Sequence, residues 1–528
     1  MRRLADCAAN GEMFLFQVAS PDVNLTLLLP ELIVGIGGVI VMMVDAFTRR
    51  GQRSVTGVLS ILTLLGAAAA SIWLWMKWPA VRTGFNGMIV LDELRLSFTL
   101  IFVVVSILTI LIATIWIDNE DLPAGEFHSL LLFATCGMML MASAGDLVIV
   151  FLGLEILSIA TYVLAGFRRT DLRSNESSLK YFILGSFASA FLLYGIALVY
   201  GATATGPDQP GTTNIALIAA RANQSLYPPL LLAGLAMILV GFAFKIATAP
   251  FHVWTPDVYE GAPSPVTAFM AAGPKAAGFA SFMRVFLFGF PIATTAASTA
   301  GLAHQSWIGA LAIMAALTMS VGNVVAIAQN NVKRMLAHSS IAHAGYALVG
   351  FVAAGAAAHP ELRSAALTAV AFYLLTYAIM NMGAFAIVTL IAGRGDRHDR
   401  VEDYHGIGFK SPVLAFSLSI FLLSLLGMPL TAGFMGKIVV FSAALRQGYT
   451  WLVVIGVLNT AVSAYYYLRL IIVMFFRERT TPWEVPRIPA TAAVVLVLTI
   501  AAVFYLGLFP GRVISAFSAK PAIGISTR

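Results

Sequence analysis

Four charged residues lie inside apolar stretches that are long enough to cross a bilayer: Glu155, Lys245, Lys275 and Lys437. A charge at the centre of a membrane costs at least about 2.5–3.5 kcal/mol on insertion scales, and such residues usually mark ion or proton paths. Lysine carries one labile charge on a flexible stem. Burial favours its neutral form and a nearby carboxylate favours its charged form, so a lysine between these effects can exchange a proton. The set therefore predicts proton transfer through the membrane.

A structural role competes with transport for these four residues. An ion pair between helices could fix their register, or a long side chain could reach the membrane interface. The second explanation does not suit Glu155 and Lys275, which lie roughly 12 and 15 Å into their predicted helices. A single ion pair also leaves two of the three lysines unexplained. Transport is the better interpretation.

Two histidines extend the candidate set. His338 and His343 lie in the first half of one predicted span, and His343 is the deeper of the two. Histidine titrates near physiological pH and can pass a proton through either ring nitrogen. A single histidine is more often a satisfied core residue. Two histidines together with Ser339, Ser340 and Tyr346 favour a polar path.

Other charged and aromatic residues lie near the predicted membrane interfaces. Lys180 follows Glu176 by one helical turn, so an i,i+4 ion pair competes with a role in proton uptake. Arg284 and Arg469 fall near the ends of spans, and we expect them to reach the interface. The run 465–467, three tyrosines, is typical of an interfacial aromatic belt.

The composition is that of an integral membrane protein. Of 528 residues, 59% are hydrophobic and 11% are charged, whereas soluble domains average about 25% charged residues. Basic residues flank apolar runs, so membrane topology explains the net charge of +7 better than nucleic-acid binding does. The two cysteines, Cys7 and Cys136, suit neither a disulfide framework nor a metal or iron–sulfur site. We expect no cofactor in this chain.

The chain contains about fourteen apolar runs, and one crossing needs roughly 20 residues. The runs are 25–47, 55–76, 96–117, 127–143, 147–167, 177–201, 227–262, 265–290, 305–327, 334–355, 364–392, 412–445, 450–475 and 488–509. The seventh and the twelfth are too long for one ordinary crossing. Residues that break helices interrupt them, namely Pro250, Pro256, Gly427, Pro429 and Gly433. Broken helices tend to line hydrated cavities in membranes.

These runs predict an all-α, polytopic membrane protein. The broken spans lie five apart, which predicts two inverted five-helix repeats. The predicted units are an N-terminal extension (1–24), three helices (25–126), a first repeat (127–290), a second repeat (305–475) and a C-terminal helix with a tail (488–528). Lysine and arginine concentrate in the odd-numbered connections, so the positive-inside rule places these in the cytoplasm and both termini outside.

Several segments resemble the antiporter-like subunits of respiratory complex I. Their signature is similar to residues 241–269, GFAFKIATAPFHVWTPDVYEGAPSPVTAF. The sequence pattern of this segment resembles that of the subunit N type, called subunit 2 in mitochondria. Further blocks of the family are similar to DLVIVFLGLEILS (146–158), KRMLAHSSIAHAGY (333–346) and GMPLTAGFMGK (427–437). The resemblance covers the chain from residue 25 onward.

The resemblance implies fourteen helices in two inverted repeats and a role for each lysine. Glu155 would modulate Lys245, Lys275 would link two half-channels, and Lys437 would be the terminal lysine. Lys180 would match the lysine of the sixth helix. The implied function is a proton-translocating module of the enzyme NADH–quinone oxidoreductase, which quinone reduction elsewhere in the complex would drive.

The resemblance also implies partners and a location. The partners are the neighbouring antiporter-like subunit M, small membrane subunits such as K and J, and the lipid bilayer, with no nucleic acid. NADH, FMN, iron–sulfur clusters and quinone belong to other subunits. The location is the bacterial inner membrane, with both termini on the periplasmic side.

Two other functions compete with this one. A stand-alone or Mrp-type cation/proton antiporter would need no redox partner. A scaffold would use its buried charges only to fix helix packing. The sequence pattern of residues 241–269 favours the complex I interpretation over both the antiporter and the scaffold.

Overall fold

The computed structural model describes residues 23–47, 54–78, 80–206, 209–292, 298–479 and 485–517, and the predicted extension lies outside them except for its last two residues. The first helices are α1 (Leu29–Phe47), α2 (Ser54–Lys77), α3 (Glu93–Glu120), α4 (Ala124–Ser143), α5 (Leu147–Ala165), α6 (Leu172–Ala202), α7 (Ile215–Arg221), α8 (Pro228–Lys245), α9 (Trp254–Gly261) and α10 (Ser264–Gly289). The remaining helices are α11 (Thr299–Ile327), α12 (Val332–Ala356), α13 (Pro360–Ala392), α14 (Ile407–Lys410), α15 (Pro412–Leu426), α16 (Ala432–Arg446), α17 (Thr450–Phe476), α18 (Ala490–Leu508) and α19 (Pro510–Phe517). Two short strands, β1 (Arg82–Gly84) and β2 (Ile89–Leu91), form an antiparallel hairpin.

Within these residues, 12 helices are long and apolar enough to cross a membrane. They are α1 to α6, α8, α11 to α13, α17 and α18. The predicted all-α, polytopic membrane class is therefore confirmed. The number fourteen stays a prediction, because α10 and the shorter α15 and α16 are not among the 12.

Each of the two overlong apolar runs forms two helices. In the first, α8 ends at Lys245 and α9 begins at Trp254, with 246–253 between them. In the second, α15 ends at Leu426 and α16 begins at Ala432. Backbone groups at such interruptions need partners within the protein or in water, because lipid supplies none.

Contacts between the connecting segments define two ends of the bundle. At one end, which we call the basic end, Arg168 and Lys333 form ion pairs with Asp396. At the other, the hairpin end, Ile89 of β2 forms a bridge with Ala144 before α5. The basic end brings together segments that the positive-inside rule assigns to the cytoplasm.

The two interrupted elements run in opposite directions between these ends. The segment before α8 lies at the hairpin end, where Asn214 bridges Asp146, and α9 finishes at the basic end, where the Ala262 carbonyl accepts from Lys333. The segment before α15 starts at the basic end, where Asp399 pairs with Arg173. Opposite directions are what an inverted repeat requires, and the repeat relationship itself remains a prediction.

Three helices form the centre of the bundle. Every residue of α10 except Phe288 is buried, as is every residue of α12 except Arg334 and Ala356. Every residue of α13 from Thr368 onward except Leu375 is buried as well. Polar side chains on these helices are remote from both lipid and bulk water, so the protein itself must supply their partners.

A buried ion cluster at the basic end holds the junction between α9 and α10. Asp396 pairs with Arg168 (2.7 Å) and Lys333 (3.0 Å), and it accepts from the backbone N–H of Ser264 (3.2 Å). Lys333 also donates to the carbonyl of Ala262 (2.6 Å). Burial alone would raise the pKa of Asp396, but the charges of Lys333 and Arg168 outweigh it and hold that pKa below its usual value. This carboxylate therefore fixes the end of α9 against α12.

Arg284 corrects one expectation from the sequence. Instead of reaching the interface, it is 3% exposed and forms two hydrogen bonds with Asp92, of 2.7 and 2.8 Å. Its Nε donates to the Ala142 carbonyl. Asp92 is distant in sequence, so the pairing depends on tertiary packing. Arg469 does lie at a helix end, where it donates to the carbonyl of Ile327 at the end of α11.

We expect Asp396→Asn to destabilise the protein by about 3–5 kcal/mol, because it leaves two buried cations without their shared carboxylate. The melting temperature of the detergent-solubilised protein at pH 7 checks this. Glu402→Gln, an exposed carboxylate at the same end, is the matched control.

The stability that Asp396 contributes depends on pH with a defined sign. Because the folded pKa of Asp396 is lowered, its stabilisation is complete above the ordinary carboxylate pKa and is lost as pH falls through the folded value. The melting temperatures of the wild type and of Asp396→Asn should therefore converge in strong acid. Equal melting temperatures at pH 7 would contradict the assignment.

Candidate functional site

Lys245 is the last residue of α8, and its side chain is held among α5, α6 and α10. It is 6% exposed. Its Nζ donates to Oγ of Ser158 (2.8 Å) and lies 5.9 Å from the ring centroid of Tyr181. A Cβ added at Gly278 on α10 would lie 2.7 Å from Cγ2 of Ile246 and 3.5 Å from Cγ of Lys245, so the glycine leaves room for the residue that follows the lysine. The ammonium thus meets a hydroxyl and a ring face.

Glu155 lies one turn before Ser158 on α5 and is half-buried. Within the described part of the chain, its Oε1 is buried with no hydrogen-bond partner, and it forms no ion pair within 4.0 Å. Its charge acts on Lys245 through space. Glu155 and Lys245 both lie near Ser158 of α5 but are not in direct contact, so the modulating role of Glu155 remains a prediction.

A small cavity lies beside this lysine. Its volume is about 10 Å³, and its polar lining includes Lys245, Ser158, Tyr162 and Ser189. That volume is about the space of one water molecule, and several polar groups around it are the condition for a buried water. Such a water could connect the ammonium with hydroxyls that it does not contact directly.

Lys275 lies near the middle of the buried helix α10 and is 2% exposed. Its Nζ donates to the carbonyl oxygen (2.7 Å) and to Oγ (2.5 Å) of Ser340 on α12. The ring of Tyr377 on α13 is 5.9 Å from the ammonium. The side chains of Tyr377 and of Tyr259 on α9 also interact with Ser340. Ser340 is therefore the point at which α9, α10, α12 and α13 meet.

His343 lies one turn beyond Ser340 and is hydrogen-bonded on both ring nitrogens. Nδ1 lies 2.6 Å from the hydroxyl of Tyr373, and Nε2 lies 3.4 Å from that of Tyr467. The hydroxyl of Tyr467 continues to Oγ of Ser339 (2.5 Å). In neutral imidazole one nitrogen donates and the other accepts, so either tautomer fits this environment. His343 experiences the charges of both Lys275 and Lys437, so it lies between them.

Lys437 lies on α16 opposite the end of α15 and is 5% exposed. Its Nζ donates to the carbonyls of Leu426 (2.8 Å) and Leu425 (3.3 Å). The last carbonyls of a helix lack intrahelical donors and form its negative end, so they suit an ammonium. Gly427 ends α15 with a φ of 96°, and a Cβ there would lie 3.4 Å from this Nζ. The ring of Tyr346 covers the ammonium at 4.7 Å.

Lys180 lies outside this buried set. Its Nζ pairs with Glu176 (2.7 Å) and with Asp257 on α9 (3.0 Å), and its side chain is 41% exposed. Asp257 and Glu260 both pair with Arg334 on α12. The predicted i,i+4 ion pair is therefore present, as part of a charged network that joins α6, α9 and α12 at the basic end.

His338 is also separate from the partners of His343. It is close to His252, in the interruption after α8, and to Arg334. In the described part of the protein, Nδ1 of His338 and Nδ1 of His252 are buried without a hydrogen-bond partner. His338 thus lies near both the interruption, through His252, and the charged network, through Arg334.

Sequence reasoning missed three residues of the buried set: Ser158, Tyr373 and Tyr467. Tyr467 was expected in an interfacial belt with its neighbours, and this was wrong, because Tyr466 and Tyr467 are 1% and 0% exposed. Only Tyr465 of the three faces outward, at 58%. Helical spacing carried a signal for Ser158, one turn after Glu155, but no local signal pairs Tyr373 or Tyr467 with His343.

Comparison with known proteins defines the class. Residues 144–463 match the family model described as NADH:quinone oxidoreductase/Mrp antiporter, TM. The protein is thus an antiporter-like membrane protein, and the matched range contains every buried lysine described above. A chain of the Mrp complex from Dietzia sp. has the same fold, with a TM-score of 0.77 at 20% identity over 94% of this chain and 96% of that one.

Closer relatives narrow the class. NADH-quinone oxidoreductase subunit N of Trichlorobacter lovleyi is 44% identical over 93% of this chain and 96% of its own length. A subunit N from Koribacter versatilis is 43% identical over 95% and 97%. A chain of respiratory complex I from Thermus thermophilus matches with a TM-score of 0.74 and 35% identity over 93% and 99%. The chain belongs to the family of NADH-quinone oxidoreductase subunit N. It is a multi-pass subunit of the proton-translocating membrane arm of that enzyme complex, alongside other membrane-arm subunits.

We expect Ser158→Ala to slow proton pumping several-fold, because Lys245 loses its hydrogen-bonded partner. A hydrogen bond to a charged group is worth about 1.5–3 kcal/mol, a large change in the occupancy of the protonated lysine. Proton uptake into vesicles that contain the intact complex, normalised to complex content, is the measurement. Thr109→Val removes a buried hydroxyl that bonds to a carbonyl of its own helix, α3, and should pump normally. Equal rates for wild type and Ser158→Ala would contradict the role of this contact.

Proposed function

We propose that this subunit conducts protons along the buried residues Glu155, Lys245, Lys275, His343 and Lys437. One observation supports this most strongly. In the described part of the chain, none of the three lysines forms an ion pair within 4.0 Å, and each donates to hydroxyl or carbonyl oxygens. A structural ion pair needs a carboxylate partner. An ammonium that is held by neutral oxygens can lose its proton without leaving a buried anion behind.

The first part of the proposed route joins Lys245 to Lys275. A proton on Lys245 has Ser158 and the small cavity on one side and the Tyr181 ring on the other. Tyr181 lies near Tyr259 of α9, and the side chain of Tyr259 in turn interacts with Ser340. Ser340 accepts from Lys275. Hydroxyl groups both donate and accept, so this series can pass a proton with the help of water.

The second part joins Lys275 to Lys437 through His343. Ser340 interacts with Tyr377, and the ring centroids of Tyr377 and His343 are 5.0 Å apart. Like charges repel strongly in a medium of low dielectric constant. A proton on Lys275 or on Lys437 therefore disfavours a charge on His343. This repulsion would disfavour states in which neighbouring groups of the route are protonated at the same time.

Proton entry would use the basic end in this scheme. Lys180, Asp257 and Arg334 form charged contacts there, and His338 lies near Arg334 and near His252 of the interruption after α8. If the positive-inside rule applies, this end faces the cytoplasm and both termini face the periplasm. Lys180 and His338 would then act in proton uptake.

The setting of the subunit follows from its relatives. We place it in the bacterial inner membrane between subunit M and small subunits such as K and J. NADH, FMN, iron–sulfur clusters and quinone would be bound by other subunits, whose redox reaction would drive the charge movements described here.

The test compares Lys245→Ala and Lys437→Ala with Lys77→Ala, an exposed lysine near the hairpin end. We expect each buried substitution to lower proton pumping and coupled NADH–quinone turnover at least tenfold in the assembled complex, because the relay loses a group that carries the proton. Glu155→Ala should have a smaller effect, since Glu155 acts on Lys245 only through space. Native gels quantify assembly, and vesicle acidification measures pumping.

Two results would contradict the proposal. Full coupled pumping by the assembled Lys245→Ala and Lys437→Ala variants would exclude the relay. A fall in complex abundance with normal pumping per complex would make these lysines packing residues. Sodium–proton exchange by vesicles that contain this subunit alone would instead identify an independent antiporter.

A further inference from the structure

Tyr346 contacts Lys437 with its ring and a different set of residues with its hydroxyl. The ring centroid lies 4.7 Å from the ammonium. The hydroxyl is 3.2 Å from Nδ2 of Asn323 on α11 and 3.5 Å from Oγ1 of Thr460 on α17. The hydroxyl is therefore held from the far side, by groups that do not bond to the lysine, while the ring packs against His343 and Phe441.

Those groups belong to a polar cluster between α11 and α17, which we call the seam. Asn323 is fully buried, accepts from the hydroxyl of Tyr466 (2.9 Å) and donates to Oδ1 of Asn459 (3.4 Å). Asn459 in turn donates to Oγ of Ser320 (3.2 Å). Each buried polar group here costs free energy unless it keeps its partners, so the seam resists rearrangement.

We propose that Asn323 is a positioning residue that holds the Tyr346 ring over the ammonium of Lys437 and so sets how readily Lys437 releases its proton. The inference rests on the proposed function, since it concerns the terminal lysine of the relay. It adds a residue on α11 that lies outside the buried lysine and histidine chain.

The physical basis is the preference of a ring face for a cation. The quadrupole of an aromatic ring attracts an ammonium and has little attraction for the neutral amine, and the effect is larger when both are desolvated. The carbonyls of Leu425 and Leu426 also favour the ammonium, but they are fixed by the end of α15. The ring can be displaced by a change in the seam, so it is the adjustable contact.

Other titratable groups around α16 do not replace this contact. From α12, His343 opposes a charge on Lys437 when it is itself protonated, and from α13, Tyr373 is hydrogen-bonded to His343. α15 contributes carbonyls only. From α17, Tyr466 belongs to the seam, and Tyr505 of α18 is largely exposed on the outer side. In the described residues no carboxylate lies within 4.0 Å of Lys437.

The experiment measures the pH dependence of proton pumping by the intact complex in vesicles. Tyr346→Leu removes the ring, Tyr346→Phe keeps the ring and removes the hydroxyl, and Asn323→Leu keeps Tyr346 and removes its donor. Thr499→Val is the matched control, because Thr499 is a buried residue of α18 that bonds only to its own helix. Lys437→Ala is measured in parallel.

We expect a shift of the alkaline limb of the pH profile of proton pumping, which is the pH range where pumping declines. Without the ring, Lys437 loses its proton at lower pH, so pumping should decline at a pH about one unit lower in Tyr346→Leu, the size expected for a desolvated cation–π contact. Asn323→Leu and Tyr346→Phe should shift in the same direction by a smaller amount, and Thr499→Val should not shift.

Each alternative result has a separate meaning. If Lys437→Ala abolishes pumping while Asn323→Leu and Tyr346→Leu keep the wild-type pH profile, the positioning role is wrong and the relay stands. Lower complex abundance with an unchanged profile per complex shows that the seam only packs α11 against α17, which also overturns the inference. Full pumping by Lys437→Ala overturns the proposed function itself.

Discussion

The structure depends on how a buried ammonium group can be satisfied without a carboxylate. A fully paired lysine would be a stable structural element with a fixed charge, whereas an isolated lysine in an apolar core would simply stay neutral. Lys245, Lys275 and Lys437 lie between these extremes, because each donates to oxygen atoms that carry no charge. Both protonation states then have a tolerable energy, which is the requirement for a group that passes a proton on.

The interruptions in the helices follow from that constraint. A continuous helix uses nearly all of its carbonyls internally and has none to offer a lysine. Ending α15 at Leu426 frees carbonyls at the depth of Lys437 and directs the negative end of a helix dipole toward it. Ending α8 at Lys245 places that side chain beside Ser158 and next to the glycine of α10. The Asp396 cluster then fixes the junction that follows the short helix α9, while Asp257 and Glu260 of α9 pair with Lys180 and Arg334.

The sequence predicted the parts of this design that have a local signal. Charged residues inside apolar runs identified the buried lysines. Pro250, Gly427 and Pro429 lie where the overlong runs divide into separate helices, whereas Pro256 lies in α9 and Gly433 in α16. Contacts between distant segments had no such signal. Asp92 and Arg284 are separated by most of the first half of the chain, and His343 meets Tyr373 and Tyr467 only because α12, α13 and α17 pack together. The three consecutive tyrosines were misassigned because composition suggested an interface, while the helical rotation of 100° per residue turns Tyr466 and Tyr467 inward.

In the proposed relay, His343 is a neutral member between two lysines. If hydroxyl groups alone connected Lys275 and Lys437, no imidazole would lie between the two charged side chains. An imidazole bonded to tyrosines on both sides can transmit a proton through one nitrogen as it loses another, and it is neutral before and after the transfer. In the proposed relay the two lysines would be charged in alternation, because repulsion disfavours the state in which both carry a proton.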